Sequence, residues 1–236
     1  KTGDSSRRST VLITVESPKS NVAEGFKQIR TNVIFAAADP ANKAFLCTSS
    51  LPTEGKTLIC ANLAVAMSQM GKSVLLIDGD MRRPRLHELF FIENTDGLTN
   101  ILIGSREPSE VIADTHVPGL KIITSGPTPP NPSELLASER ARTLIRYAKG
   151  SYDVILVDSP PVLTVTDPVI ASSILDGVIL VTKAAETPVE PLMRSLKQLR
   201  EANAKIMGVV LNSVNPRRDS YYYYHYYRDY YEYEKV

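Results

Sequence analysis

Cysteine, tryptophan and net charge are all scarce in this sequence. Its 236 residues include two cysteines and no tryptophan, and the formal net charge is +1. Two cysteines are too few for a disulfide framework or a metal site, and we interpret Cys47 and Cys60, which lie in apolar stretches, as buried thiols in a reducing compartment. The small net charge gives no reason to expect binding to nucleic acid or to an anionic membrane surface.

Long hydrophobic runs are also missing. No apolar run approaches the ~18 residues that a membrane-spanning helix needs. The sequence begins at Lys1 without a methionine, and its first ten residues are polar. We therefore expect either a chain without its own membrane span or one from which a membrane part has been removed.

Short apolar runs alternate with helical patterns along the chain. This alternation predicts an α/β fold with a doubly wound, mainly parallel sheet flanked by helices. Strands are predicted at 44–48, 73–77, 120–124, 153–157, 177–182 and 205–211, and helices at 21–37, 56–70, 132–149 and 188–202. We predict an N-terminal arm at 1–17, one folded domain at 18–214 and a flexible tyrosine-rich tail at 215–236.

The segment FLCTSSLPTEGKTL leads from a predicted strand through a Gly/Ser/Pro loop into a predicted helix. Gly55 permits close approach of the backbone to a phosphate, Lys56 reaches the β- and γ-phosphates, and the Thr57 hydroxyl is suited to Mg²⁺. Ser50 stands where the usual pattern G-x-x-x-x-G-K-[ST] has its first glycine. This loop predicts a fold of the P-loop NTPase type, with ATP bound by the domain at 18–214. The candidate nucleotide-binding residues of the loop are Leu51, Pro52, Thr53, Glu54, Gly55, Lys56, Thr57 and Leu58.

Three carboxylates follow two other predicted strands. Asp78 and Asp80 come after one strand in LLIDGDMRRP, and Asp158 comes after another in ILVDSPP. Ligands of doubly wound sheets bind beyond the carboxyl ends of the strands. The three carboxylates and the phosphate-binding loop should therefore meet at one Mg²⁺-nucleotide site, with Asp158 holding Mg²⁺ through water.

Tyrosine is almost confined to the end of the chain. Nine of the eleven tyrosines are phosphoacceptor candidates in the tail: Tyr221, Tyr222, Tyr223, Tyr224, Tyr226, Tyr227, Tyr230, Tyr231 and Tyr233. Composition alone leaves three hypotheses open: an aromatic patch for RNA or sugar, a self-associating segment, or a substrate. A neighbouring site that activates phenols would favour the substrate hypothesis.

The segments SSLPTEGKT, LLIDGDMRRP and ILVDSPP resemble the Walker A, A′ and B motifs of the bacterial tyrosine kinases of capsule and exopolysaccharide production. GPTPPNPSEL, the helix SNVAEGFKQIRTN and the tyrosine cluster are similar to that family too. The resemblance covers the chain from about Pro18, and neither H-R-D nor D-F-G of the eukaryotic protein kinases is present. It implies an ATP- and Mg²⁺-dependent kinase that phosphorylates its own tyrosine cluster, in trans, and regulates polysaccharide synthesis or export.

The resemblance also implies roles for individual residues. Lys56, Asp78, Asp80 and Asp158 would be catalytic, with Thr57, Asp78 and Asp158 at the metal. Asp80 would accept the proton of the attacking tyrosine, whose phenol has a pKa of about 10 when free. Arg82 would pair with a phosphate or with Asp80, a structural role being the alternative, and Asn212 would contact adenine. Thr53 replaces a common glycine, which predicts a slightly stiffer loop.

The first long helix bears a charged stripe of Glu24, Lys27 and Arg30 at a spacing of three residues. A solvated face with weak ion pairs is one interpretation of this stripe. The family resemblance implies the other, a ring of subunits built by E-x-x-R-x-x-R. Lys27 replaces the first arginine and lacks its planar fork, so we expect a homo-oligomer with weakened ring contacts.

The resemblance further implies protein tyrosine substrates and a transmembrane polysaccharide co-polymerase or adaptor, fused or separate. The chain would then lie in the cytoplasm at the inner face of the bacterial cell membrane, held there by the adaptor or by a missing membrane part. A P-loop switch ATPase of the division-site and plasmid-partition type, whose tyrosine tail serves only for interaction, is the alternative function. Leu51 counts against it, because those ATPases carry an extra lysine near that position.

Overall fold

The computed structural model describes residues 12–37 and 39–215. Its strands are β1 Ala44–Ser49, β2 Val74–Asp78, β3 Ala113–Asp114, β4 Leu120–Ile123, β5 Val154–Asp158, β6 Gly177–Lys183 and β7 Ile206–Asn212. Its helices are α1 Ile13–Glu16, α2 Asn21–Ala37, α3 Lys56–Ser68, α4 Leu86–Phe90, α5 Leu98–Ile103, α6 Pro108–Val111, α7 Pro132–Ala137, α8 Glu139–Ser151, α9 Asp167–Ser172 and α10 Val189–Glu201.

The strands form one sheet in the order β3-β4-β2-β5-β1-β6-β7. Every pairing is parallel except that of β3 with β4. Strands β1, β2 and β5 are buried along their whole length, as expected when helices cover both faces of a parallel sheet. The predicted fold class and all six predicted strands are confirmed; the short strand β3 was not predicted.

Two hydrophobic layers enclose the sheet. One layer contains side chains of α2, α3 and α4, and the other contains side chains of α5, α7, α8, α9 and α10. Strand β1 lies inside the sheet, with β5, β2 and β4 on one side and β6 and β7 on the other. The loop after β1 therefore opens at the point where the chain winds in both directions, which is where doubly wound folds bind ligands.

The structure divides one predicted helix and shows contacts of the segment before residue 18. The helix predicted at 132–149 is split at Ser138, whose backbone is extended. Its hydroxyl donates to the Leu135 carbonyl oxygen and accepts from the Ala141 N–H, so Ser138 ends α7 and caps α8. The segment before residue 18 also packs against the domain, because Leu12 is buried and Thr14 donates two hydrogen bonds to Asn62 Oδ1. The domain bounds themselves stay a prediction.

No helix within the described ranges is both long enough and apolar enough to cross a membrane. Cys47 and Cys60 are buried free thiols, as predicted from their apolar surroundings.

Candidate active site

The loop after β1 has the backbone that a phosphate-binding loop requires. Gly55 precedes α3 in a left-handed conformation with φ of 90°, and a β-carbon at this position would collide with the Asn212 side chain. Glycine is therefore required both by the backbone conformation and by the space. The N–H groups that open α3, a helix of 13 residues, point toward this loop and favour a bound anion.

The carboxyl ends of β2 and β5 bring the predicted carboxylates together. Asp78 and Asp158 are directly paired in the register of these neighbouring strands, and both are fully buried. Asp80 follows two residues after Asp78 and is also buried. The structure thus places all three beside the loop after β1, as the sequence predicted.

Lys56 is the centre of the cluster. Its Nζ lies 2.8 Å from Asp80 Oδ2 and 3.6 Å from Asp158 Oδ2, and it donates to Thr57 Oγ1 at 3.2 Å. Thr57 in turn donates to Asp158 Oδ2 at 2.6 Å. The lysine and hydroxyl that the sequence assigns to phosphate and Mg²⁺ are therefore held by the carboxylates of the same site.

Asp78 is fixed by the backbone of the segment that follows it. Its Oδ2 accepts from the N–H groups of Arg85 and Leu86 at 3.1 and 3.0 Å, and its Oδ1 accepts from the Asp80 N–H at 3.3 Å. These bonds tie the start of α4 to the end of β2. The position of Asp78 is consequently set by main-chain geometry and does not depend on a flexible partner.

The site holds three carboxylates and only one lysine, and its acid–base properties reflect this imbalance. Burial, reinforced by the negative charge of Asp158, raises the pKa of Asp78 to about 7. Burial also raises the pKa of Asp158, although Lys56 and Thr57 oppose the change. Burial alone would lower the pKa of Lys56, but Asp158 and Asp80 outweigh it and raise that pKa. The lysine is therefore charged at neutral pH, and the site favours an added cation.

Thr57, Asp158 and Asp78 fit a magnesium site of the P-loop type. Asp158 Oδ1 is buried and has no hydrogen-bond partner among the described residues, which leaves an acceptor available to a cation or its water. No group of three or more Asp, Glu, His or Cys side chains in that part of the chain forms a metal cage by itself. Mg²⁺ in nucleotide sites is held by one or two protein oxygens, water and substrate phosphates, so such a cage is not required.

The remaining side chains predicted in the loop differ in their placement. Leu51 is half-buried and Pro52 and Thr53 are exposed. Thr53 has φ of 67°, a strained conformation for a β-branched residue, which explains why a glycine suits this position. Leu58 is partly buried and packs against the hydrophobic layer behind α3.

Glu54 is placed differently from its neighbours in the loop, and its contact with a nucleotide stays a prediction. Its side chain is only 3% exposed and points into the protein. Oε2 accepts from the Leu51 N–H at 2.6 Å, and Oε1 accepts from the hydroxyls of Thr182 and Thr187 at 3.2 and 2.5 Å. The carboxylate is therefore occupied by the protein itself, as is the Leu51 N–H, and neither is free for a nucleotide in this conformation.

Arg82 and Asn212 also have protein partners. Arg82 forms a two-pronged ion pair with the fully buried Asp167, through Nε at 2.8 Å and a terminal nitrogen at 3.0 Å. Ser133, from GPTPPNPSEL, donates to the same carboxylate at 2.5 Å. Of the alternatives left open for Arg82, the described residues show an ion pair with Asp167 and none with Asp80, and contact with a phosphate stays a prediction. Asn212 Nδ2 donates to the Glu54 carbonyl oxygen at 2.9 Å, so Asn212 borders the loop; contact with adenine stays a prediction.

Comparison with known proteins identifies the family. A protein-family model described as an AAA domain matches residues 53–208. The chain is 38% identical over 217 residues to the tyrosine-protein kinase YwqD of Bacillus subtilis, covering 92% of each chain. It is 38% identical over 225 residues to the putative tyrosine-protein kinase CapB of Staphylococcus aureus, covering 94% of this chain and 99% of that one.

The chain belongs to the bacterial tyrosine kinase family.

Solved structures agree with this family. The kinase domain of the Escherichia coli tyrosine kinase ETK matches 86% of this chain and 80% of its own, with 34% identity and a TM-score of 0.84. The septum site-determining protein MinD of Pyrococcus horikoshii, complexed with Mg-ADP, is more distant. It matches 72% of this chain and 69% of its own, with 26% identity and a TM-score of 0.62. The P-loop NTPase fold thus implies binding of a nucleotide with a divalent metal.

The residues of the charged stripe of this bacterial tyrosine kinase form contacts within the chain. Lys27 pairs with Glu24 at 2.6 Å on the surface of α2. Arg30 donates to the Ala66 carbonyl oxygen at 2.9 Å and so ties α2 to α3. Contacts of Glu24, Lys27 and Arg30 with a second subunit stay a prediction. The phosphoacceptor candidates Tyr221 to Tyr233 lie outside the described residues.

Sequence reasoning missed two features of the site. Asp167 was not proposed, although TDPV carries the signal of a helix start, with Pro168 in the first turn of α9. No pattern in the sequence indicates that the Glu54 side chain points into the protein. Its partners Thr182 and Thr187 are more than 120 residues away in the sequence and meet it only through the pairing of β6 beside β1.

Proposed function

We propose that the chain is an ATP- and Mg²⁺-dependent protein-tyrosine kinase that phosphorylates its own C-terminal tyrosine cluster in trans. The observation that carries this proposal is the contact between Lys56 and Asp80 beside the Asp158–Thr57 pair. A phosphate-binding lysine and a carboxylate suited to accept a proton lie within one hydrogen bond of each other. Transfer to tyrosine needs both groups at the γ-phosphate.

Binding of ATP would change the partner of Lys56. In the structure its ammonium group neutralises Asp80. Phosphate oxygens are stronger competitors for that ammonium group because they carry several negative charges. When Lys56 turns to the β- and γ-phosphates, Asp80 loses its cation and becomes a better proton acceptor.

The tyrosine hydroxyl then attacks the γ-phosphorus. A bond forms between the phenolic oxygen and phosphorus, the bond from phosphorus to the β,γ-bridging oxygen breaks, and ADP leaves with the electron pair of that bond. The phenolic proton passes to Asp80. Lys56 offsets negative charge on the transferred group. Thr57 and Asp158, with Asp78 nearby, would hold Mg²⁺, and the bound ion would supply further charge neutralisation.

The Asp80→Asn variant tests this assignment. Asparagine keeps the size of the side chain but does not accept the proton at neutral pH. We expect phosphotyrosine formation to fall by about 10²–10⁴-fold while Mg-ADP binding is retained, since general base catalysis contributes roughly this much. Equal losses of binding and transfer would contradict the role of Asp80.

Phosphorylation in trans needs a mixing experiment. A Lys56→Met chain with an intact tail is incubated with an active chain that ends at Asn215. Phosphotyrosine on the inactive chain would support transfer between molecules. If the full-length chain phosphorylates itself but the mixture yields none, transfer is within one molecule.

Each added phosphate brings about −1.5 to −2 charges, so several would make the tail strongly anionic and loosen a homo-oligomer by repulsion. We further propose that a transmembrane polysaccharide co-polymerase or adaptor holds the chain at the inner face of the membrane and that the kinase regulates polysaccharide synthesis or export. The family resemblance supports this proposal. It is tested by whether the cytoplasmic segment of such an adaptor binds the chain and raises phosphotyrosine formation.

The alternative function is a switch ATPase, favoured only by the similarity to MinD. Such an enzyme would hydrolyse ATP and leave its tyrosines unmodified. The similarity to tyrosine kinases extends over a larger part of the chain and is closer in both identity and structure.

A further inference from the structure

Glu54 is an unusual residue for a phosphate-binding loop. It is an acidic side chain between Thr53 and Gly55, where an anionic ligand is expected, yet it is buried and forms no ion pair with any residue of the described ranges. A buried carboxylate without a cation is costly unless several donors satisfy it. Glu54 has three, and they come from three separate segments of the chain.

The first segment is the loop itself. The carboxylate reaches back to the Leu51 N–H, so it closes the turn that contains Thr53. Thr53 is in the left-handed region with φ of 67°, and a strained residue of this kind persists only where its surroundings fix it. The Glu54 side chain supplies such a constraint.

The other two segments lie at the end of β6. Thr182 is in β6 itself, and Thr187 is in the connection to α10. The Thr187 hydroxyl donates to Glu54 and also accepts from the Lys183 N–H at 3.3 Å, so it holds that connection against the loop.

The backbone of Glu54 connects the loop to the same region through a second set of hydrogen bonds. Its carbonyl oxygen accepts from Asn212 Nδ2, and the Asn212 carbonyl oxygen accepts from the Ala184 N–H at 2.8 Å. Ala184 belongs to the same connection as Thr187. The phosphate-binding loop, the end of β6 and the end of β7 are thereby joined through one residue.

We propose that Glu54 is a positioning residue that holds the phosphate-binding loop in its nucleotide-binding shape and couples it to the ends of β6 and β7 and to the connection after β6. Its side chain acts through Leu51, Thr182 and Thr187 and does not touch the nucleotide. The proposal rests on the nucleotide site of the proposed function. It predicts that nucleotide binding weakens when hydrogen bonds of Glu54 are removed, even though these bonds lie away from the phosphates.

The test is a titration of full-length variants with Mg-ADP. Thr187→Val removes one donor to Glu54 but keeps the shape of the side chain, and Thr187→Ser restores the hydroxyl. Glu54→Gln keeps the size of the side chain but replaces one acceptor oxygen by a donor. Glu186→Gln is the matched control, because it makes the same chemical change on an exposed neighbour that pairs with Lys183.

We expect Thr187→Val and Glu54→Gln each to raise the dissociation constant for Mg-ADP by about tenfold, which corresponds to the loss of one hydrogen bond to a charged group. Thr187→Ser and Glu186→Gln should bind like the wild type. In phosphorylation assays KM for ATP should rise more than kcat falls, because the loop must first be ordered before transfer begins.

Unchanged binding of Mg-ADP by the variants would overturn the proposal. If Thr187→Val and Glu54→Gln are folded by circular dichroism and bind Mg-ADP as tightly as Glu186→Gln, Glu54 has only a structural role, even if the melting temperature falls. Should Glu54→Gln fail to fold, Thr187→Val decides alone. A wild type that binds Mg-ADP but does not phosphorylate tyrosine would refute the kinase proposal and leave this one standing.

Discussion

Replacing Asp78 by asparagine should stabilise the nucleotide-free chain above neutral pH and abolish its activity. The pKa of Asp78 is raised from 3.8 to about 7 by burial and by Asp158. Between these two values the folded chain keeps a proton that the unfolded chain has released. Its contribution to stability is therefore present below pH 4 and is lost as the pH rises to about 7.

The size of the effect follows from this difference in pKa. Each unit corresponds to about 1.4 kcal/mol, so ionised Asp78 costs the folded chain roughly 4 kcal/mol above neutral pH. Asparagine removes this cost but leaves the Asp80 N–H without its acceptor, a loss of about 1 kcal/mol. We expect Asp78→Asn to be about 3 kcal/mol more stable than the wild type at pH 8 and about 1 kcal/mol less stable at pH 4.

Urea unfolding at pH 4, 6 and 8, without nucleotide or Mg²⁺, measures the difference directly. Asp153→Asn is the matched control. The Ser73 N–H and hydroxyl lower the pKa of the exposed Asp153, so its removal should destabilise the chain at pH 8. If Asp78→Asn is less stable than the wild type by the same amount at all three values of pH, the electrostatic reasoning is wrong.

Three further predictions concern the loop and helix α2. Thr53→Gly should raise the free energy of unfolding by about 0.5–1 kcal/mol, because relief of left-handed strain exceeds the added entropy of the unfolded chain. Ser173→Gly is the control and should lower the free energy of unfolding, because Ser173 has φ of −73° and no such strain. Equal effects of the two substitutions in urea unfolding would contradict the strain at Thr53. Gly55→Ala should weaken Mg-ADP binding at least about tenfold, since the added carbon is strained and meets Asn212. Gly150→Ala in α8, where the space is open, should leave calorimetric binding unchanged, and a tight-binding Gly55→Ala would refute the loop geometry. Lys27→Arg should shift sedimentation toward a larger oligomer by restoring a planar fork for bidentate pairing, and an unchanged sedimentation coefficient would argue against ring contacts through α2.

Local patterns made most of the fold and the centre of the site predictable. The strands around Leu76 and Leu156 are continuous apolar runs, and each ends at a carboxylate of the site, Asp78 or Asp158. The position of a carboxylate just after a buried strand is therefore visible in the sequence. Convergence of Lys56 with Asp78, Asp80 and Asp158 followed from the parallel arrangement alone.

The contacts that escaped prediction depend on side-chain direction. Glu54 lies in the phosphate-binding loop, which suggested that it faces the nucleotide, whereas for Arg82 a phosphate, Asp80 and a structural role were all left open. The structure directs Glu54 to Thr182 and Thr187, and Arg82 to Asp167, all of them distant in sequence. Whether a polar side chain in a loop faces the ligand or the protein is decided by the tertiary donors and acceptors nearby, and these have no local signature.

Intact-mass spectrometry after incubation with Mg-ATP tests the central claim most directly. We expect a series of added phosphates, up to nine, that map to the tyrosines between Tyr221 and Tyr233 and are absent from the Lys56→Met chain. A wild-type chain that hydrolyses ATP normally and gains no phosphate would contradict it and favour the switch ATPase.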